Sequence, residues 1–468
     1  MSMARKSRLM GRSINRKGEM SDTPRVVIVG AGPCGLGAAR ELTHLRHENW
    51  ILAEAADHAA GHAGSVIDPQ GFLWDFGGHV VFSHFGEFDK ILEETMGDEV
   101  FHHERSSYIR FDDRWVPYPF QNNLRHLPPE PAYECLLGLI EAPGGDPETD
   151  FALWMAQTFG EGITHHFMRP YNFKVWATPA ERMQAKWIGE RVSVVDYNRA
   201  VRSLVFQEDD AAWGPNNMFM FPAVGGTAEI YTRLAASLGD RITYNRQMVA
   251  VDAENKTAKF SDGSEEVYDK LISTMPIDKL VGILEHCPDD VRGAADDLEH
   301  NGVFMVGIGY ETPVFDDKSW MYFPQDTAPF YRATNFGKYS PNNVPNGDVG
   351  KYCSYMTEIS YSRYKPESAD GLAERVEEGL RASGVIEGRP KIASMHVEDL
   401  GYAYPVPTLK RDDALAKIQP WLMSHDIYSR GRFGSWKYEI GNMDHAVKMG
   451  IDASRLVVDG TPEELWTL

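Results

Sequence analysis

Apolar and polar positions alternate along this chain in two rhythms, and their order suggests its parts. Arg25-Val-Val-Ile-Val29 is a short β-branched run that predicts a buried parallel strand. Leu36 to Leu45 has the spacing of an amphipathic helix, and Trp50-Ile-Leu-Ala-Glu54 predicts a second strand. Much later a turn at Phe221-Pro-Ala-Val-Gly-Gly226 leads into a predicted helix, Glu229 to Leu238. Arg241 to Tyr268 then alternates like a β-meander, with turns at Glu254-Asn255 and Asp262-Gly263, before Lys270-Leu-Ile-Ser-Thr-Met275 returns as an apolar strand. Val303 to Gly309 and Tyr352 to Glu358 also read as strands. No run approaches the roughly 20 apolar residues that a membrane span needs, and the first residues have no apolar signal core.

The pattern predicts an α/β protein. A composite dinucleotide-binding unit is expected over 22–110, 205–285 and 425–468, a mostly helical substrate unit over 111–204, and an antiparallel sheet over 286–424. Residues 1–21 carry Arg5, Lys6, Arg8, Arg12, Arg16 and Lys17 among small polar residues and are expected to be a disordered arm rather than a nucleic-acid contact.

The first strand and helix flank Gly30-Ala-Gly-Pro-Cys-Gly35, a G-x-G-x-x-G in the required order. Gly30 allows the tight turn, Gly32 lets backbone approach a pyrophosphate, and Gly35 lets helix and strand pack closely. The helix N-terminus faces the anion. Glu54 ends the next strand about twenty residues on, where an acid accepts from a ribose 2′-hydroxyl. An acid there favours FAD or NAD over a 2′-phosphate. Gly71-Phe-Leu-Trp-Asp-Phe-Gly-Gly-His-Val80 adds glycines and aromatics that could lie against a ring system. A Rossmann pattern interrupted by a meander and finished late in the chain resembles glutathione-reductase-type flavoproteins.

Composition limits the partners. The 468 residues include 47 basic and 68 acidic ones, a net charge of −21, so a DNA-coating role is disfavoured. An anionic substrate would need arginines concentrated locally against that field. Cys34, Cys135, Cys287 and Cys353 are too scattered for a metal site or disulfide framework and suggest a reducing, cytoplasmic setting. There is no Ser-His-Asp arrangement and no zinc spacing. Asp209-Asp210 and Asp412-Asp413 read as solvated turns.

Further blocks carry a resemblance. They are Trp115-Val-Pro-Tyr-Pro-Phe-Gln-Asn-Asn123, Phe167-Met-Arg-Pro-Tyr-Asn-Phe-Lys-Val-Trp176, Trp213-Gly-Pro-Asn216, Phe330-Tyr-Arg-Ala-Thr334 with Tyr339-Ser-Pro341, Tyr404-Pro-Val-Pro-Thr-Leu409, and Ser429-Arg-Gly-Arg-Phe-Gly-Ser-Trp-Lys-Tyr438. With the Gly-Gly-His segment these resemble the UDP-galactopyranose mutases, especially their eukaryotic-type branch, from about Val26 to Ile451. Two departures stand out. Ala60-Gly61-His62 occupies the place of a usual Gly-Gly-Leu, and Met443 precedes Asp444 where close relatives have Gln.

The resemblance implies an isomerase using FAD in its reduced form, with NAD(P)H as a candidate external reductant, a UDP-sugar as substrate and oligomerisation left open. It implies attack by flavin N5 on the anomeric carbon, ring opening and reclosure. By the same resemblance Arg191 and Arg332 clamp the diphosphate, with Tyr322, Tyr339, Tyr404 and Tyr438 donating hydroxyls. Tyr118, Phe120, Gln121, Phe167, Tyr171 and Asn172 would hold uracil, and Trp176 and Asn216 would sit by the sugar. Gly61, Gly77, Gly78, His79, His84, Arg432, Asn442 and Met443 would meet the FAD, His79 as a loop over the ring. The competing expectations are the same chemistry on another nucleotide sugar, a flavin oxidase or dehydrogenase on a shared scaffold, and a non-catalytic flavin or nucleotide-sugar binder.

Overall fold

The computed structural model describes residues 23–189, 192–193, 196–210 and 217–467. The basic arm, Arg191 and the Trp213-Gly-Pro-Asn216 block lie outside them.

Five parallel strands form the dinucleotide sheet, in the order Ile427–Ser429, Lys270–Ser273, Val26–Val29, Trp50–Ala53 and Ile242–Thr243. Val26–Val29 is buried throughout, as its β-branched run requires. Ile242–Thr243 corrects the expected meander. It extends the edge of the parallel sheet beside Leu52 and Ala53, and Leu284–Glu285 pairs in its stead with Met248–Asp252. The remaining meander strands, Met248–Asp252, Thr257–Phe260 and Glu265–Val267, form the hairpins that the turn residues suggested.

The first helix runs from Pro33 to His44, three residues earlier than its apolar spacing indicated, because Pro33 is compatible with a first-turn position that needs no amide donor. It packs against the last helix, Met443–Asp459, at very short range. A Cβ on Gly37 would lie 2.7 Å from the Val447 carbonyl oxygen, and one on Gly450 would lie 2.0 Å from that of Cys34. Ser454 also donates to the Ala38 carbonyl at 3.0 Å. This close packing holds the two helix N-termini side by side.

The second sheet has seven strands, in the order Ile392–Pro405, His300–Tyr310, Cys353–Tyr361, Arg332–Asn335, Trp320–Tyr322, Ser107–Phe111 and Arg114–Pro117. It is antiparallel except where Trp320–Tyr322 runs parallel to Ser107–Phe111. Residues 107–110, expected with the dinucleotide unit, therefore belong to this sheet. Helices Pro129–Glu141, Phe151–Ile163, Arg169–Trp176 and Tyr197–Phe206 cover one end. A π-helical turn, Thr164–Met168, joins the second to the third. Gly160 has φ +70°, and a Cβ there would lie 2.1 Å from the Gly138 carbonyl, so the first two of these helices touch backbone to backbone. Asp412 and Asp413 lie in the first turn of helix Arg411–Ser424, where acids favour the N-terminus, and not in a turn. Asp209 and Asp210 pair with Arg125 and Arg199.

Among the described residues no helix is long and apolar enough to cross a membrane. The final segment closes over the back of the dinucleotide loop. Arg430, fully buried, forms two 2.6 Å bonds to Glu463, and the Trp466 ring lies 3.6 Å from its guanidinium carbon. Trp466 packs with Cys34, Ala446 and Met449. Removing one partner of such a buried pair leaves an uncompensated charge, at a cost of about 3–5 kcal/mol. Glu463→Ala is therefore expected to lower the free energy of unfolding by about that amount, read from denaturant melts. A loss below about 1 kcal/mol would mean that water or another group takes over Arg430.

Candidate active site

A cavity of about 1230 Å³ runs between the two sheets. Gly30, Gly32, Pro33, Glu54 and Gly61 line one end. His79, His84, Arg432 and residues 441–446 line the middle, and an aromatic and arginine-rich chamber lines the other end.

At the glycine end the backbone itself is the binding surface. Gly30 has φ +101°, and a Cβ there would collide with the Thr274 hydroxyl at 2.1 Å. Gly35 does not line the cavity. A Cβ on it would lie 1.8 Å from the Gly30 carbonyl oxygen, so it acts by closing helix against turn. Gly32 is the N-cap of the first helix, and no side chain caps that helix start. Glu54 accepts from the amides of Ala31 at 2.5 Å and Ala56 at 2.8 Å, which fixes the carboxylate at the strand end. Ala60 takes φ +90°, a left-handed conformation that costs a residue with a Cβ about 1–2 kcal/mol. The loop therefore keeps a glycine-like shape despite the departure in sequence. A second helix N-terminus, at Asn442 and Met443, opens onto the same cavity. Two helix starts, a fixed acid and a glycine cradle fit a dinucleotide with an extended ring system.

Between the ends lies a loop anchored by one acid. Asp75 precedes it, buried, accepting from the Ser65 hydroxyl at 2.6 Å and the Thr227 hydroxyl at 3.1 Å. Gly77 and Gly78 then bring His79 to the cavity. Burial pushes the His79 imidazole down to about 4, against the opposing pull of Glu358, so the ring is neutral at pH 7. Its Nδ1 is buried with no hydrogen-bond partner among the described residues. His84 bonds Asp444 at 2.7 Å, and His445 meets the other oxygen of Asp444 at 3.0 Å.

Glu358, on the strand Cys353–Tyr361, is the residue that sequence reasoning missed. It is 3% exposed and accepts from the Gly78 amide at 2.7 Å, from Arg332 Nε at 3.0 Å, from Arg332 Nη2 at 2.5 Å and from the Tyr331 hydroxyl. Burial alone would raise its carboxyl. Arg332, Tyr331 and the Gly78 amide together hold it below the usual carboxylate range. No neighbour in sequence marks it, because it lies inside the strand Cys353–Tyr361 and its Gly78 partner is 280 residues away.

Arg332 stacks on Trp320 at 4.9 Å, and Arg105 approaches the same indole at 5.0 Å. Arg105, also unforeseen, donates to the Tyr322 hydroxyl at 2.7 Å. The chamber brings together Tyr118, Gln121, Phe167, Tyr171, Asn172, Trp176, Tyr322, Arg332, Tyr404 and Tyr438. Trp176 meets Tyr438 edge-on at 4.8 Å, and Arg432 lies over Tyr404 at 5.0 Å. Burial raises the phenols of Tyr118, Tyr171 and Tyr404, so they remain protonated donors. Two expected residues do not line the cavity. Phe120 is fully buried and stacks behind Phe167 at 4.8 Å, and Tyr339 packs among Phe219, Phe221 and Phe336. Phe120 thus supports a lining residue from the core. Arg191 and Asn216 lie outside the described residues.

This geometry agrees with two comparisons. Residues 33–458 match the family of flavin containing amine oxidoreductases. A crystal structure of reduced UDP-galactopyranose mutase is 41% identical, with 93% of this chain and 94% of that chain covered and a TM-score of 0.90. The chain belongs to the UDP-galactopyranose mutase family. A putative protoporphyrinogen oxidase from Exiguobacterium sp. is 16% identical, covered over 94% of this chain and 98% of that one, with a TM-score of 0.69. A putrescine oxidase is 14% identical, covered over 93% and 98%, with a TM-score of 0.66. These two share the fold. As a member of the UDP-galactopyranose mutase family the chain is an isomerase with a flavin cofactor.

Burial pushes the carboxyl of Asp75 up to about 7, against the pull of Ser65 and Thr227. Its folded value lies above its unfolded one. Its favourable contribution is complete below the unfolded value, near pH 4, and is lost as pH rises towards about 7. Asp75→Asn should therefore flatten the pH dependence of the melting temperature between those limits. An unchanged difference between pH 5 and pH 8 would show that Asp75 does not titrate in that window.

Proposed function

We propose that this protein interconverts UDP-galactopyranose and UDP-galactofuranose, with reduced FAD as its cofactor and NAD(P)H as an external source of electrons. The observation that carries the reading is the continuity of one cavity. It joins a dinucleotide cradle to a chamber where Arg332, Tyr322, Tyr404, Tyr438 and two aromatic blocks face one another. Four buried, unpaired cysteines support a reducing, cytoplasmic setting.

FAD would be held by the Gly30–Gly35 turn, Glu54, Gly61, the Gly77–His79 loop and the start of the last helix. When bound and reduced it supplies N5 as nucleophile for the anomeric carbon. The chain's own residues then do the rest. Arg332, with Arg191 as a proposed partner, neutralises the diphosphate as it leaves and holds it for return. Bound to Glu358 through Nε and Nη2, Arg332 has a fixed plane and so needs little reorganisation at that moment. Tyr322, Tyr404 and Tyr438 add hydroxyl donors to the same oxygens. Phe167 and Tyr171, ring to ring at 5.3 Å, offer an apolar wall for uracil, and Gln121 and Asn172 offer amide edges. Trp176 and the proposed Asn216 confine the sugar so that a different hydroxyl can reclose the ring. His79 shields the flavin face.

The test is anaerobic. Dithionite-reduced holoprotein is given UDP-galactofuranose and the products are separated by chromatography. Formation of UDP-galactopyranose only when the flavin is reduced is the expected outcome. No conversion with intact reduced flavin would overturn the reading and turn attention to other nucleotide sugars, while oxygen consumption in step with substrate would mark an oxidase. Arg332→Lys keeps the charge opposite Glu358 but loses the planar fork. It should retain flavin and lower kcat/KM by about a hundredfold. Near-normal turnover would remove Arg332 from the diphosphate site.

A further inference from the structure

Lys174 belongs to the helix Arg169–Trp176 but does not line the cavity, whose wall takes Tyr171, Asn172, Val175 and Trp176 from the same helix. It is 5% exposed. Its Nζ donates to two backbone carbonyls, that of Gln325 at 2.9 Å and that of Ala328 at 2.8 Å. A buried ammonium opposes folding through its lost hydration, and an apolar side chain of similar volume is often as stable or more so in such a place. Filling space therefore does not account for a lysine here.

The carbonyls it reaches lie in the loop that joins the strands Trp320–Tyr322 and Arg332–Asn335. Those strands pair antiparallel with Tyr322 opposite Arg332, and the Phe323 amide bonds the Tyr331 carbonyl at 2.9 Å. Tyr322 and Arg332 both line the chamber. The loop has two further supports. Gln325 exchanges 2.7 Å bonds with the amide and the carboxylate of Asp112, and a Cβ on Gly379 would lie 3.0 Å from Pro329 Cδ. Neither support involves the helix that carries Lys174. That helix is held at its C-terminal end, where Asn301 donates to the carbonyls of Val175 and Trp176 at 3.0 Å each and Ser360 donates to that of Val175 at 2.6 Å. Ser360 stands two residues after Glu358 on the strand Cys353–Tyr361. These bonds fix the helix end to the sheet, and Lys174 carries the connection on to the loop.

We infer that Lys174 is a positioning residue whose ammonium ties the loop behind Tyr322 and Arg332 to the helix behind Tyr171, Asn172 and Trp176, so that two walls of the chamber keep one spacing. A charged donor suits this task, because charge-assisted hydrogen bonds are roughly twice as strong as neutral ones. Burial pushes Lys174 down to about 7; Asp326, exposed in the same loop, pulls the other way, and Lys365 adds to the fall. The tie is therefore strongest below that value and weakens above it as the charge is lost. Lys174 lies outside the cavity, so it acts through the lining residues on either side of it. The inference rests on the UDP-sugar reading only for the identity of the ligand that the two walls meet.

The experiment compares wild-type holoprotein with Lys174→Met, which keeps most of the packing and loses the charge and the donors. Lys174→Gln stands in should the Met variant not fold. One readout is amide hydrogen exchange without nucleotide, over peptides covering 323–331 and 169–176. The other is the Kd for UDP on either side of the Lys174 titration, at about pH 6 and about pH 9. Exchange should quicken in both segments. UDP binding should weaken by about tenfold at the lower pH. That gap should shrink at the higher pH, where the wild type has lost its charge. Unchanged exchange would overturn the inference. So would faster exchange with unchanged UDP affinity, which would leave Lys174 a residue of local stability alone. A gap of the same size at both pH values would also overturn it, because the charge would not be the tie. Loss of folding in both variants would do the same, since a general requirement of the fold is not a link between two walls. Failure of UDP to bind the wild type would count against the UDP-sugar reading, and exchange in the two segments would then decide the inference by itself.

Discussion

The site depends on one buried carboxylate. Glu358 stands on a strand of the seven-stranded sheet and accepts hydrogen bonds from the amide of Gly78, from the side chain of Arg332 and from Tyr331. The first belongs to the glycine loop in the middle of the cavity, and the second to the aromatic chamber at its end. An ionised carboxylate at 3% exposure is tolerable only because these donors are all in place. The same requirement fixes the donors. Neither the glycine loop nor the Arg332 plane can shift without stranding a buried charge, so the position of that loop relative to the arginine is set by electrostatics.

Around that point the architecture divides its tasks by the kind of structure that suits each. The dinucleotide end is made of backbone, with positive φ at Gly30 and two helices in contact through Gly37 and Gly450. The chamber is made of large side chains carried on the seven-stranded sheet and on the helix Arg169–Trp176, where Tyr171, Asn172 and Trp176 share the exit from the π-helical turn. Aromatic walls bury readily and, as at Tyr118, Tyr171 and Tyr404, keep their hydroxyls protonated.

The dinucleotide half was legible because its evidence is local. Strand, glycine turn, helix and acid lie within about thirty residues, and each constraint acts on a neighbour in sequence. The meander strand at Ile242 was misassigned because two apolar residues cannot say which of two sheets they will join. Chamber residues were legible only through resemblance in separate blocks, and Phe120 and Tyr339 show its limit. Both are aromatic, both sit in matching blocks, and both turned out to back the wall rather than form it, which depends on packing depth and not on residue type. Glu358 and Arg105 escaped notice for the opposite reason. Their partners are far away in sequence, Gly78 by 280 residues and Tyr322 by 217, and nothing adjacent marks either residue.

The parallel sheet also has a consequence for how the protein is made. Its central strand, Val26–Val29, is synthesised well before its neighbour Lys270–Ser273, and the edge beyond that, Ile427–Ser429, comes later still. The helix that follows it bonds a partner 416 residues away. While the ribosome is at work, the glycine turn has no second helix beside it and no closed seat to offer a cofactor. Such distant pairings are slow to form and leave strand edges open in the meantime. Closure of the glycine-lined end of the cavity therefore waits for the helix Met443–Asp459, and the half-made sheet is the species that chaperones would have to protect.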